Sequence, residues 1–434
     1  QVFHRDVERG HAGGLAQELF HLGGHSGLQL QPREPGEHAA RRVGAGLAHF
    51  HITVEFVGRH VGAPLRAFAR AAHHHPVEAA AFQRQPVGAQ RQRGGRSAAL
   101  STLHSFLDAR ALGYRGGISS PLSSPDACSR LSAYLAWGCI SLREVVQSTR
   151  AMLDTLPPQA GRHRAGLVGF MSRLYWHCHF IQKLESEPEI EWRNMHPGYD
   201  GLREDGWNDD HFAALTSART GWPMVDACVV MLHETGWLNF RMRAMLVSVA
   251  AYPLWLDWRP VGQWLATQFL DYEPGIHWSQ LQMQSGTTGI NTTRVYNPIK
   301  QAQDHDPKGI FVRRWLPHMR RVPDTWLFEP WRMPPEVLRH CGLTVGMGPD
   351  ADIPEPLVDL AEATRTSKAA LHARRADPDV KAGKKAIVDK HASRRVSGVK
   401  TAKTKSTTRS SARSASKKAS AEINSPSPQL GFDF

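Results

Sequence analysis

One group of side chains in this sequence has the types and spacing needed to hold a charged, planar molecule. Arg243 lies on a predicted helix, and its guanidinium can pair with the carboxylates of Asp271 and Glu273. A guanidinium is a planar fork of N–H donors that suits carboxylates and polar heterocycles. A polar, glycine-punctuated loop follows at 282–289. A structural ion pair with helix capping is the alternative, and the residue pattern by itself favours it.

A second segment has the chemistry of a phosphate site. Ser129-Arg130-Leu131-Ser132 is a hydroxyl-rich turn that opens a helical stretch. Backbone N–H groups at a helix N-terminus favour bound phosphate oxygens. Helix capping is the alternative interpretation here as well.

Histidine spacings typical of metal ligands occur near the N-terminus. His21 and His25 are four residues apart, and His73–His75 are consecutive. No cysteine or carboxylate cluster accompanies them to complete a ligand set. Residues 1–97 contain 11 His and 12 Arg but no Lys, Tyr or Trp. We therefore interpret 1–97 as a low-information, Arg/His-rich region and predict neither a fold nor a metal site there.

The residues that would position the arginine and its carboxylates lie in a region with helical periodicity. Apolar residues recur at three- and four-residue spacing in Leu142–Leu153, Leu167–Leu184, Met224–Leu232, Leu238–Ala251 and Trp264–Leu270. Proline and glycine separate these stretches, and alternating β-branched runs are few. We predict an all-α domain over 98–347, in which the many tryptophans line a core or a pocket for a planar ligand.

The net charge of +13 is concentrated at the C-terminal end of the chain. Residues 365–434 contain 17 Lys and Arg against 5 Asp and Glu, which accounts for +12 of that total. Aromatic residues are absent from this stretch until Phe432, so it offers little apolar surface to offset the entropy of folding. We predict a linker and a disordered basic tail over 348–434, able to bind DNA phosphates non-specifically.

Several classes of protein are excluded by composition. No apolar run approaches the roughly 20 residues that a membrane-spanning helix needs, so no membrane partner is expected. The first residues lack the basic-then-apolar pattern of a signal peptide. The five cysteines include no Cys-x-x-Cys pair, which argues against a disulfide framework or a zinc ribbon. A cytoplasmic location is predicted.

Seven blocks of sequence between residues 129 and 331 carry a more specific signal. They are SRLSAYLAWGCISLREV (129–145), RTGWPMVDACVVMLHETGW (219–237), RMRAMLVSVAAYPLWLDWR (241–259), QFLDYEP (268–274), RVYNPIKQ (294–301), IFVRRWLP (310–317) and FEPW (328–331). In this order they resemble the flavin-binding helical domain of the cryptochrome/DNA photolyase family. The resemblance spans about 99–333 and implies an all-α, FAD-binding, photolyase-like fold.

The resemblance implies a non-covalently bound FAD. The positions that match the family's cofactor contacts are Tyr114, Ser129, Leu131, Ser132, Arg243, Asp271, Tyr272, Glu273 and His277. The 129–132 segment would hold the phosphates, while Arg243 and the carboxylates would surround the isoalloxazine and ribityl groups. His277 falls where the family places the residue that faces the flavin N5 atom.

The resemblance also implies residues for DNA binding and for electron supply. The positions that match DNA contacts are Trp176, Phe240, Arg241 and Met283, and the catalytic candidates are Trp258, His277 and Trp278. Trp258 keeps the middle position of the family's tryptophan relay, but Leu281 replaces the flavin-proximal tryptophan. Trp278 is the predicted substitute for that missing relay residue.

Two functions from different classes remain open at this point. The leading one is FAD-dependent, light-driven repair of pyrimidine dimers in DNA by a carbon–carbon lyase. The alternative is a blue-light receptor that binds FAD without repair, because Phe240 and Met283 replace an Asn and a Trp of the lesion pocket. A flavin-binding remnant without activity is a third interpretation. Residues 1–97 contain nothing like the family's N-terminal antenna domain, so no antenna chromophore is expected.

The end of the chain suggests one further partner. Gln429–Phe434 reads QLGFDF and follows a stretch that lacks aromatic residues. Apolar anchors on a flexible tether are typical of short docking motifs. The hexapeptide resembles the peptides with which bacterial repair proteins bind the sliding clamp, and a ragged chain end is the alternative.

Overall fold

The computed structural model describes residues 90–290 and 293–391. The longer helices in these ranges are α1 (Arg96–Asp108), α2 (Leu142–Thr155), α3 (Gly161–Ser186), α4 (Asp209–Thr216), α5 (Pro223–Thr235), α6 (Phe240–Ala251), α7 (Trp258–Gln268), α8 (Pro274–Ser285), α9 (Pro298–His305), α10 (Leu360–Ala376) and α11 (Pro378–His391). Short helices cover Tyr114–Gly117, Ser124–Ala127, Ser132–Ala136, Ile310–Trp315 and Pro335–Cys341. Two short strands, β1 (Val345–Gly346) and β2 (Ile353–Pro354), pair in parallel.

Local sequence signals explain where the central helices begin and end. The Ser141 side chain accepts a hydrogen bond from the Glu144 backbone N–H at 3.2 Å, the Ser-x-x-Glu arrangement of a capping box at the start of α2. Gly236 ends α5 and Gly286 ends α8 in left-handed conformations, with φ of 65° and 79°. Glycine adopts this conformation without a steric penalty. Both turns therefore fix the direction in which the chain continues after its helix.

The main hydrophobic core is built around α5, α6, α7 and α8. Helix α8 packs against α3, α6 and α7, so its side chains face three neighbouring helices. Trp222 and Trp258 are almost fully buried in this core. A smaller core joins α1 to the first half of α3, where the rings of Phe106 and Phe170 meet edge to face at 4.7 Å. The predicted all-α architecture is confirmed: three of the five periodic stretches lie wholly on helices, and Leu238–Ala251 and Trp264–Leu270 each extend two residues beyond one.

Part of the predicted disordered tail is folded. Helices α10 and α11 lie within it, and Leu371 and Val380 are buried against the α6 end of the core. The Arg374 guanidinium also donates hydrogen bonds to the carbonyls of Gly198 and Asp200, both at 3.2 Å. For residues 360–391 the prediction was wrong, because a low average hydrophobicity hid two well-placed apolar anchors in an alanine-rich segment with high helix propensity.

The predicted boundary at residue 97 is also displaced. Arg91 donates to the carbonyl of His233 at 3.1 Å, and the Tyr134 hydroxyl donates to the carbonyl of Arg93 at 2.9 Å. Residues 91–93 therefore pack on the helical domain. The histidines at 21, 25 and 73–75, the basic segment beyond residue 391 and the motif at Gln429–Phe434 lie outside the described residues. None of the described helices combines the length and apolar character needed to cross a membrane.

Candidate cofactor site

The ion pair predicted for Arg243 is present. Its Nη2 atom donates to Oδ1 and Oδ2 of Asp271 at 2.9 and 2.8 Å, and its Nε atom donates to the Leu238 carbonyl at 2.7 Å. The Asp271 side chain is only 4 % exposed. The guanidinium also lies over the Phe269 ring, 4.0 Å from its centroid. These contacts fix the Arg243 guanidinium where α6 meets the segment that connects α7 to α8.

Glu273 does not share this pair. It stands immediately before α8, and no ion pair among residues 90–290 and 293–391 involves its carboxylate. Burial raises the pKa of Glu273, while a hydrogen bond from the Gly275 backbone lowers it. The structure thus separates the two predicted carboxylates into one that holds Arg243 and one that does not.

Arg130 belongs to the same cluster, although no role for its side chain was predicted. Its guanidinium stacks on Trp237, 3.8 Å from the ring centroid, and its buried Nη1 atom has no hydrogen-bond partner among the described residues. Burial lowers its pKa to about 10, and the nearby Asp271 carboxylate opposes that shift. Arg130 also has a φ of 63°, a strained conformation for a non-glycine residue. Its position between Ser129 and Leu131 was the sequence feature from which a role in this site could have been predicted.

The other predicted phosphate ligands flank Arg130. Ser132 is exposed at the start of the Ser132–Ala136 helix, while Leu131 is buried with its side chain in the smaller core. Leu131 can therefore contact a ligand through its backbone alone. Tyr114 lies in the same core, with its ring 5.6 Å from that of Phe106. Burial raises the pKa of the Tyr114 hydroxyl.

His277 is a neutral residue wedged among aromatic rings. Its Nε2 atom lies 2.9 Å from the Gly262 carbonyl, which requires the proton to be on Nε2. Its ring meets those of Tyr272 and Trp278 edge to face at 5.1 and 4.9 Å. Burial lowers its pKa to about 4. At neutral pH, Nδ1 is thus a hydrogen-bond acceptor, and a bound group facing it would have to donate.

Trp278 lies next to His277, and Trp258 lies next to Trp278. The rings of Trp278 and Trp258 meet edge to face at 6.0 Å, and both side chains are buried. Trp278 donates its indole N–H to Glu191 and to the Tyr272 hydroxyl, each at 3.0 Å. Leu281 is buried one turn further along α8. The structure therefore brings the predicted substitute relay residue next to the retained one.

A cavity of about 390 Å³ lies at the start of α6, the helix that also carries Arg243. The residues that line it are Phe240, Arg241, Gln284, Arg294, Val295, Tyr296, Asn297, Lys300 and Gln301. Three of them are cationic, and two present aromatic rings. Phe240 and Arg241, two of the four predicted DNA contacts, thus share one cavity.

The other two predicted DNA contacts do not line this cavity. Met283 precedes the lining residue Gln284. Trp176 lies on α3, where its ring packs near those of His179 and Phe180 at 5.3 and 5.7 Å. The structure therefore places only two of the four predicted DNA contacts on the lining of this cavity.

Comparison with known proteins gives a consistent result. Residues 170–373 match a family described as the FAD binding domain of DNA photolyase. The chain is 31% identical over 274 residues to a deoxyribodipyrimidine photo-lyase of Streptomyces griseus, covering 62% of this chain and 54% of that protein. It is 26% identical over 289 residues to cryptochrome-1 of Aedes aegypti, covering 65% and 52%.

A solved structure is also similar to this chain. A bacterial class III photolyase from Agrobacterium tumefaciens superposes with a TM-score of 0.58 at 27% identity, covering 66% of this chain and 57% of that one. The chain spans about half the length of the curated relatives named above.

Proposed function

Because the chain carries an FAD-binding domain of the DNA photolyase family, we propose that it is a flavin-dependent lyase that uses light to split pyrimidine dimers in DNA. The observation that carries the proposal is the largely buried cluster of Arg130, Arg243 and Asp271 beside neutral His277. This cluster offers a free cationic donor, a fixed guanidinium fork and a hydrogen-bond acceptor within one site.

The residues present fit FAD. The unpartnered Nη1 of Arg130 suits a pyrophosphate oxygen, because a buried N–H donor without a hydrogen-bond acceptor is costly. Arg243 and Asp271 present donor and acceptor atoms that suit the polar edge of the isoalloxazine, and His277 can accept a hydrogen bond there. When bound, FAD supplies the light-driven electron transfer, whereas the protein positions the reacting groups and excludes water.

The neighbouring cavity supports DNA as the substrate. Arg241, Arg294 and Lys300 give it a positive charge, which attracts phosphate groups. Phe240 and Tyr296 add aromatic surface on which an extruded base can stack. A cavity with these two properties suits a lesion that has been flipped out of the duplex.

The proposal is tested by light-dependent repair. The full chain, loaded with FAD and reduced, is mixed with an oligonucleotide containing one cyclobutane thymine dimer, and the dimer is quantified by chromatography in light and in darkness. We expect loss of the dimer under illumination and no loss in darkness. Equal amounts of dimer in both conditions, with bound FAD verified by its absorption, would contradict the proposal.

A second candidate function is a light receptor that binds FAD without repairing DNA. It is favoured by the placement of Trp176 and Met283 outside the residues that line the cavity, because a repair site needs walls on which the lesion stacks. It is also consistent with the similarity to a cryptochrome of Aedes aegypti. A light-induced change in the flavin spectrum without loss of the dimer would support this candidate.

A further inference from the structure

The indole N–H of Trp278 is directed at a carboxylate. It lies 3.0 Å from Oε1 of Glu191 and 3.0 Å from the Tyr272 hydroxyl oxygen, and the Trp278 side chain is buried. Glu191 belongs to the short helical turn Pro188–Glu191, which follows α3 in the chain. A neutral indole needs one acceptor, and either oxygen would serve. The presence of a carboxylate as well as a hydroxyl therefore calls for an explanation.

The segment that carries Glu191 is fixed against the helix that carries Trp278. Gln282, one turn after Trp278 on α8, is fully buried. Its side-chain amide donates to the carbonyls of Ile190 and Arg193 at 2.7 Å each, and its Oε1 accepts from the Met195 N–H at 2.7 Å. Every hydrogen-bonding group of the Gln282 side chain thus serves to hold this segment. The Glu191–Trp278 contact is consequently part of a rigid arrangement.

Glu191 is a half-buried carboxylate without a cationic partner in the described part of the chain. None of the ion pairs within residues 90–290 and 293–391 involves it, and the nearby Arg193 pairs with Glu189 instead. Burial raises the pKa of Glu191, while the hydrogen bond from Trp278 lowers it. A carboxylate without a counter-cation and with a raised pKa is a better base than an exposed one.

Trp258 provides an internal contrast. Its indole N–H donates to the side-chain oxygen of Asn194 at 2.9 Å. An amide oxygen accepts a hydrogen bond but does not take up a proton near neutral pH. Of the two adjacent tryptophans, Trp278 is the one whose N–H faces a base.

We propose that Glu191 accepts the indole proton of Trp278 when that tryptophan is oxidised. The step rests on the proposed function: Trp278 loses one electron to a photoexcited flavin, which makes its N–H strongly acidic. The N–H bond breaks, an O–H bond forms at Oε1 of Glu191, and Trp278 remains as a neutral radical. The flavin gains the electron and Glu191 the proton, so charge and atoms balance. The neutral phenol of Tyr272 is too weak a base for this role.

This step would keep the oxidised site at Trp278. Return of the electron to the neutral radical without the proton would leave a high-energy indolide anion, whereas a radical cation is reduced directly to neutral tryptophan. Glu191 is thus a positioning and proton-accepting residue that acts through Trp278, and it would lengthen the lifetime of the charge-separated pair.

The test compares Glu191→Gln with a matched control. Glutamine keeps an oxygen acceptor but loses basicity, and Glu189→Gln makes the same change at an exposed position of the same turn. An ultraviolet laser flash ionises tryptophan in the full chain without any cofactor. The difference from Trp278→Phe isolates the Trp278 signal. We expect conversion of the radical cation to the neutral radical to slow by about tenfold or more in Glu191→Gln and to stay unchanged in Glu189→Gln.

Equal conversion rates in Glu191→Gln and the unmodified chain would overturn the proposal. If Glu191→Gln fails to fold, the unmodified chain still decides the question, since protonation of Glu191 at low pH must slow the same conversion. A conversion rate independent of pH would then count against it. Failure of the chain to bind FAD would contradict the proposed function while leaving this flash measurement valid.

Discussion

The two halves of the candidate site hold their charges in different ways. In the cofactor half, Arg243 is paired with both oxygens of a carboxylate that is 4 % exposed. In the cavity half, Lys300 pairs with Asp304 at 3.0 Å, but its side chain is 67% exposed. Buried pairs keep their geometry, whereas exposed charges act through screened, long-range attraction. We therefore expect the first half to hold one molecule in one pose and the second to attract a polyanion.

The largest expected effect comes from breaking the buried pair. Arg243→Leu leaves Asp271 without its partner, which costs about 3 kcal/mol of folding free energy and removes the guanidinium fork. We expect complete loss of FAD retention, measured as the flavin absorbance of the purified protein, and a lower midpoint in chemical denaturation.

Arg259→Leu is the matched control for that variant. The Arg259 side chain is 24% exposed, close to the 25% of Arg243, and it also pairs with carboxylates, at Asp257 and Glu204. It lies outside the proposed cofactor contacts, so FAD retention should survive. Normal FAD retention in Arg243→Leu, equal to that in Arg259→Leu, would mean that the Arg243 pair is structural and remote from the cofactor.

The next effect concerns the pH dependence of stability in the cofactor half. The His277 imidazole stays neutral in the folded chain down to about pH 4, while in the unfolded chain it binds a proton below about pH 6.5. The unfolded state thus binds more protons in this window, and the free energy of unfolding falls as the pH falls. His277→Asn should remove up to about 3 kcal/mol of this loss between pH 6.5 and 4. Identical pH profiles of His277→Asn and the unmodified chain in urea titrations would refute this prediction.

Electron supply distinguishes the two buried tryptophans. If Trp278 replaces the missing relay residue at Leu281, Trp278→Phe should slow flavin photoreduction more than Trp258→Phe, by about tenfold. The measurement is the rate of loss of the oxidised-flavin absorption under blue light with an external reductant. The reverse order, or no change in either variant, would assign the route to other aromatic residues.

A smaller effect is expected in the cavity half. Arg241→Gln should weaken DNA binding, reduce the slope of log affinity against log salt by about one, and leave FAD retention intact. Fluorescence anisotropy of a labelled, dimer-containing oligonucleotide gives both quantities. Arg332→Gln is the control, because that side chain is 63% exposed and does not line the cavity. Loss of FAD from Arg241→Gln would show that the two halves are not separable.

The smallest effect is expected from the basic C-terminal segment. Residues 392–434 contain nine Lys and Arg against two acidic residues, so removing them should flatten the salt dependence of DNA binding without altering FAD retention. Truncation at 365 is a poor substitute, because it also removes the buried Leu371 and Val380. An unchanged salt slope after truncation at 392 would assign the DNA contacts to the helical domain.

The sequence was sufficient where a signal is local or carried by a motif. Apolar periodicity predicted the central helices, because a helix buries one stripe of its own residues. The pairing of Arg243 with Asp271 was predicted from two motifs and is present. Glu191 could not be predicted as a partner of Trp278, because the contact joins residues 87 positions apart through Gln282. The folding of residues 360–391 was not predicted for a related reason, because Leu371 packs against residues that lie far away in the sequence.

Binding of FAD by the chain tests the central claim most directly. The purified chain is titrated with FAD, and binding is followed by flavin fluorescence and absorption after removal of unbound cofactor. We predict a saturable, one-to-one complex that survives gel filtration and is absent in Arg243→Leu. If no flavin co-purifies and added FAD elutes entirely separately from the folded, unmodified chain, the cluster of Arg130, Arg243 and Asp271 is a structural ion network and the account given for this site is wrong.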